Sequence, residues 1–180
     1  MMTFGTRLSK AQWLDYAGQF CRKEQDIQVL FDALFSLTPK QVGQQYAGYV
    51  LLHVHRMCPG VLSPKLKELV SLLADDPKIH HSIRRQVYSV LQDRPLPEEI
   101  AGEVFAKAVD HFLDHNMAIA VRARALSTCA NVAIQYDGLW SEVYELATSV
   151  QSEDSWGMQS IGARTARQAM KELEKGDASA

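Results

Sequence analysis

Ser82-Ile83-Arg84-Arg85-Gln86-Val87 returns as Ala120-Val121-Arg122-Ala123-Arg124-Ala125, and again as Ser160-Ile161-Gly162-Ala163-Arg164-Thr165. The apolar anchors Ile83, Val121 and Ile161 are 38 and 40 residues apart. A step of 36 residues back from Ile83 reaches Ala47, in the weaker match Tyr46-Ala47-Gly48-Tyr49. A second mark travels with the first: Asp76, Asp114 and Asp154 stand eight residues before Arg84, Arg122 and Gly162. A period near 40 with two helices per unit belongs to stacked helical repeats, in which each helix pair buries its apolar face against the next. The reading places Ile83, Val121 and Ile161 in that shared core. It places the aspartates in the turns between paired helices, where they can cap the helix that follows. Arg84 and Arg122 would bond turn aspartates of their own or an adjacent repeat, forming a ladder.

Helical signals fill the chain on both sides of the repeat. Ser9 caps a first helix to about Arg22, with Trp13, Ala17, Phe20 and Cys21 on one face. A second starts near Asp26 and carries Ile27, Leu30, Phe31 and Leu34. Thr38-Pro39 predicts the start of a third, which runs to about Met57 before Pro59-Gly60. Ser63-Pro64 predicts a fourth, and Asp75-Asp76-Pro77 opens a fifth that runs to about Leu91. Leu96-Pro97-Glu98-Glu99 starts a sixth, with acids where the helix dipole favours them. Asn116 divides it from a seventh ending near Asp137-Gly138; an eighth spans about Leu139–Val150, and a ninth follows Ser155 and ends before Gly176. No alternating, β-branched stretch is long enough for a strand. The expected fold is therefore all-α. It is one domain over residues 1–180, a right-handed superhelix of about four hairpins (26–57, 64–92, 98–135, 139–174). A cap helix at 9–23 precedes them, and a frayed tail at 175–180 follows.

Composition agrees with a globular chain. Its 180 residues are 47% hydrophobic and 22% charged, which suffices to bury roughly two-thirds of the unfolded surface without staples. A net charge of -2 argues against a dedicated nucleic-acid or polybasic membrane binder. The balance is uneven: residues 1–95 sum to +4 and residues 96–180 to -6. Cys21, Cys58 and Cys129 are odd in number, far apart and outside any CxxC pair. They read as reduced, core-filling thiols rather than a disulfide framework or a zinc ribbon. The N-terminus has no apolar segment after a basic one, and no run approaches the ~18 apolar residues that span a bilayer. A reducing, cytoplasmic setting is expected.

The pattern of Asp in the turn, then Ile-Arg or Val-Arg opening the second helix, then Ala and Leu at helical spacing, resembles HEAT repeats. From about Tyr46 to Leu173 the chain also resembles small bacterial HEAT-like proteins of unassigned function. The matching stretches are Ala47–Val54, Pro77–His80 through Leu91–Asp93, Leu96–Ile100 and Ala118–Ala123. Some such proteins carry the label adenylosuccinate lyase, which this chain is too short to be. It also lacks the serine-rich loop of those enzymes. Gly162 departs from the arginine pattern, as terminal repeats often do.

The resemblance implies that the second helices line a concave face. Arg84, Arg85, Arg122, Arg124, Arg164 and Arg167 are therefore candidate groove residues for an acidic ligand, against a reading in which they are spent on Asp–Arg ladders or solvated. Tyr88, Trp140 and Trp156 are candidate groove edges that read first as core. His111 and His115, four apart, form the one weak metal-ligating pair. No third ligand is identifiable, and no metal or cofactor is expected. His53/His55 and His80/His81 diverge on a helix. Nucleophile-elbow, P-loop and dinucleotide motifs are absent from the sequence. The leading expectation is a non-enzymatic interaction module that takes a protein or acidic peptide along the groove. The alternative is a DNA-binding or DNA-repair protein akin to the alkylpurine DNA glycosylases built on HEAT-like repeats. Lyase-assisting or chromophore-handling roles find no residue that selects them.

Overall fold

The computed structural model describes residues 8–36, 42–151 and 154–177. Among them the chain forms nine α-helices and no strand. Contacts group the chain into two compact units, Met1–Val90 and Leu91–Ala180.

In the first unit, Ser9 caps α1 (Lys10–Arg22) through a capping box with Gln12. Helix α2 (Ile27–Phe35) buries Ile27, Leu30, Phe31 and Leu34, as its spacing predicts. Both helices pack on α3 (Val42–Met57), which buries Ala47, Val50, Leu51 and Val54. Buried Gln44 donates to the Leu34 carbonyl at 2.8 Å and so satisfies an end group of α2. The Thr38-Pro39 start signal lies outside the described residues. Ser63-Pro64 does not open an α-helix: it sits inside a 3₁₀ segment, Pro59–Lys65, and α4 is the short Leu66–Ser71. That tighter segment seats Val61 and Leu62 in the core ahead of Leu66. Helix α5 (His81–Leu91) begins later than Asp75-Asp76-Pro77 suggests. Asp76 instead closes a local turn by accepting from the Lys78 amide at 2.8 Å. His80 takes the capping role, its Nδ1 accepting from the Ser82 amide at 3.1 Å.

The cysteine reading needs correction. Cys21 at the end of α1 and Cys58 just past α3 form a disulfide, with Cα atoms 5.8 Å apart. Packing of α1 on α3 brings together two residues 37 positions apart, which spacing along the chain does not reveal. The expectation of a reducing setting rested in part on three free thiols, of which two are bridged. Cys129 alone fits the free, buried reading, and burial, with Glu142 adding to it, pushes its thiol pKa up. No helix among the described residues is long and apolar enough to cross a membrane.

In the second unit, α6 (Glu98–Leu113) packs on α7 (Ile119–Ala133), and α8 (Trp140–Thr148) packs on α9 (Trp156–Asp177). Helices α7 and α9 also pack on each other. Glu98 and Glu99 occupy the first turn of α6. Asn131 Nδ2 donates to the Arg94 carbonyl at 2.7 Å, and Gln135 Oε1 accepts from the Leu96 amide at 3.0 Å. The end of α7 thereby anchors the segment that leads into α6. Helix α9 continues through Gly176 to Asp177, two residues beyond the predicted stop, so residues 175–177 of the expected frayed tail are helical. The repeat anchors Ala47, Ile83 and Val121 are buried, whereas Ile161 is only half-covered.

Candidate functional site

The six repeat arginines divide by burial. Arg84 in the first unit and Arg122 in the second are 4% and 7% exposed. Arg84 lies on α5 and folds back over the turn before it. Its Nη1 donates to the Ile79 carbonyl at 2.9 Å, and its Nη2 donates to the carbonyls of Ala74 and Asp76 at 2.7 and 2.8 Å. Its Nε is buried with no hydrogen-bond partner among the described residues. Burial lowers its pKa, opposed by Asp75, Tyr88 and Asp76. Arg122 makes the equivalent reach on α7. Its Nε donates to the Phe112 carbonyl at 2.8 Å, its guanidinium lies over the Phe112 ring, and its Nη1 stands 3.5 Å from Asp154 Oδ1. Each spends donors on carbonyls left unpaired where a chain turns between helices. Neither presents a free guanidinium to a groove, so as groove residues these two are replaced by a structural role. Arg122 and Asp154 supply one rung of the expected ladder, joining α7 to the turn that precedes α9.

The remaining four differ. Arg85 on α5 is half-buried, whereas Arg124 on α7 and Arg164 and Arg167 on α9 are exposed. Arg124 and Arg164 hold the same register, three residues past the anchors Val121 and Ile161, on two helices that pack together. Along α9 an exposed stripe runs Trp156, Ser160, Arg164, Arg167, Lys171, at spacings of four, four, three and four. Trp156, at the head of the stripe, is 87% exposed. Tyr88 and Trp140, the other proposed groove edges, are core residues. Lys171 escaped the sequence reading, which followed arginines only; its helical spacing of seven from Arg164 and four from Arg167 carries the signal.

Charge in the second unit sorts by helix. Exposed Glu98, Glu99, Glu103 and Asp110 lie on α6, and exposed Glu142 and Glu145 on α8. Helix α7 carries no acid, and α9 carries none before Glu172. An acidic unit thus displays its basic side chains along α7 and α9.

Gly162 explains the missing third arginine. A Cβ there would meet Val150 Cγ2 at 2.9 Å, Val150 Cβ at 3.0 Å and the Ala147 carbonyl at 3.1 Å. Helix α9 crosses α8 too closely for any side chain at that position.

The histidine pair also needs correction. Helix α6 ends at Leu113, and Asp114 turns extended with ψ 103°. His111 is buried while His115 is exposed beyond the helix end, so the i, i+4 geometry does not form. No group of three or more His, Cys, Asp or Glu that could hold a metal occurs among the described residues.

Comparison with family models, curated proteins and solved structures found no match to this chain.

Proposed function

We propose that the chain is a non-enzymatic binding module of HEAT-like helical hairpins, and that the second unit takes an acidic protein or peptide along the α7 and α9 face. The observation that carries this reading is the segregation of charge. Arg124, Arg164, Arg167 and Lys171 share the exposed faces of α7 and α9, where the one exposed acid among the described residues is Glu174 near the end of α9, whereas Glu98, Glu99, Glu103 and Asp110 are exposed on α6 and Glu142 and Glu145 on α8. Trp156 adds a large, rigid apolar contact at the head of the same stripe. Tryptophan and arginine are among the residues in which interface hot spots are enriched. The HEAT-like assignment draws support from the repeated arginine that secures an inter-helix turn at both Arg84 and Arg122, and from the packing of α7 on α9.

Fluorescence anisotropy of a labelled oligoglutamate peptide carrying one leucine tests the reading, with duplex DNA as the competing polyanion. The module reading predicts saturable peptide binding that weakens with salt and is lost when Arg164 and Arg167 are both changed to Glu. Duplex binding with the steep salt dependence of phosphate contacts, and none of the peptide, would move the assignment to the nucleic-acid alternative.

A further inference from the structure

The first unit holds an open cleft of about 680 Å³ where α1 and α3 meet, within the range of small-molecule sites. Lys10, Gln12 and Trp13 face Gln45, Tyr46 and Tyr49 across it. The Trp13 indole stacks on the Tyr49 ring with centroids 4.6 Å apart and planes 17° from parallel. Tyr46 lies 6.0 Å from the same indole at a tilt of 35°, and His53 extends the row at 6.5 Å. These four rings are half-buried, unlike Phe20, Phe31 and Tyr88, which are fully enclosed. An aromatic cluster that forms a wall rather than a core offers ring faces and edges to a planar ligand. The electrostatics have one sign. Among the described residues Lys10 lines the cleft and no Asp or Glu does. His53 is held below its ordinary pKa by partial burial and by the positive charges of Arg56 and Lys10.

We propose that this cleft binds a planar aromatic ring carrying an anionic group, the ring against Trp13 and Tyr46 and the anion at Lys10. Gln45 supplies amide donor and acceptor groups for the ring edge. The site is independent of the α7 and α9 stripe and stands or falls without it.

Calorimetry on the full chain, with AMP, 4-hydroxybenzoate, adenosine and inorganic phosphate as separate titrants, tests the proposal. Saturable binding of AMP assigns a phosphate-bearing ring, and of 4-hydroxybenzoate a carboxylate-bearing one. Adenosine should bind roughly tenfold more weakly than AMP, the worth of one charge-assisted hydrogen bond. Inorganic phosphate alone should not compete. Lys10→Gln should weaken the anionic ligand by about the same roughly tenfold factor and leave adenosine unchanged. Tyr46→Ala should weaken both ligands. Lys10 is exposed on the first turn of α1, so its variant retains the fold, which circular dichroism verifies. Absence of saturable binding by either anionic ring at millimolar concentration overturns the proposal. So does displacement of AMP by phosphate alone, or binding that neither variant alters.

Discussion

Arg122 Nη1 stands 3.5 Å from Asp154 Oδ1, while Nε of the same guanidinium donates to the Phe112 carbonyl at 2.8 Å. One side chain therefore joins the end of α6, the start of α7 and the turn ahead of α9. Asp154 is drawn in further, since its Oδ2 accepts from the Gln151 amide at 3.0 Å and its carbonyl from Gln159 at 2.7 Å. A buried charge satisfied in this way is costly to remove, because its partners stay buried without it. Arg122→Ala is expected to destabilise the protein by about 2–4 kcal/mol, read as a lower urea midpoint at constant slope. Arg122→Lys should recover little, since an ammonium lacks the planar fork that serves two directions at once. Arg124→Ala, on the exposed face, should stay within about 0.5 kcal/mol of the parent.

The two glycines at the arginine register should behave differently. At Gly48 a Cβ would meet Ile83 Cδ1 at 2.9 Å, the far end of a flexible side chain. At Gly162 it would meet the Cβ of Val150 and the backbone carbonyl of Ala147, neither of which can swing aside. Gly162→Ala is expected to cost about 1–3 kcal/mol through strain. Gly48→Ala should cost less than about 1 kcal/mol, as relief of helix-glycine entropy offsets the shift of Ile83. Equal losses in thermal unfolding would contradict the close approach of α9 to α8.

The Cys21–Cys58 bridge closes a loop with 37-residue separation between α1 and α3. Loop-closure entropy for that length is worth about 4 kcal/mol of unfolded-state destabilisation. Reduction with a strong thiol, or the double change of Cys21 and Cys58 to Ser, should lower the unfolding midpoint correspondingly. Thiol titration of the native protein should count one free thiol after unfolding without reductant, and three after reduction. Three without reductant would remove the bridge.

His80 supplies a pH test. Its Nδ1 accepts from the Ser82 amide at 3.1 Å, a role only the neutral ring can fill. Its pKa is lowered, by partial burial and then by His81. A depressed folded-state pKa means that the unfolded chain takes up the proton first, so stability is full above pH 6.5 and falls as pH drops toward the folded value. Asn caps a helix without titrating. His80→Asn should therefore flatten the loss of stability between about pH 6.5 and 5. An unchanged slope would assign the acid sensitivity elsewhere, His53 being the next such group.

Helix positions were legible because apolar spacing and capping residues act locally: Ser9 with Gln12, and the Ile27, Leu30, Phe31, Leu34 face, needed no tertiary context. The stop of α3 at Met57, ahead of Pro59-Gly60, and the acids opening α6 were equally local. What stayed hidden depends on packing. All of Arg84, Arg122, Arg124 and Arg164 read as groove candidates from the sequence, yet packing decides that the first two, one residue past the anchors, are buried and that Arg124 and Arg164, three residues past them, are exposed. Ser63-Pro64 carries a valid start signal, but burial of Val61 and Leu62 draws it into a 3₁₀ segment. The bridge between Cys21 and Cys58 and the ring wall of Trp13, Tyr46 and Tyr49 both arise from α1 meeting α3. Neither has a periodicity of its own.

The central claim is that the buried repeat arginines build the scaffold while the exposed ones bind. The most direct measurement compares the Arg124→Glu, Arg164→Glu, Arg167→Glu triple variant with the parent, recording the urea midpoint and oligoglutamate-peptide affinity on the same samples. The account predicts a midpoint close to the parent's and an affinity reduced at least tenfold, from reversal of three exposed contacts. A triple variant that stays folded and binds the peptide as tightly as the parent would contradict it.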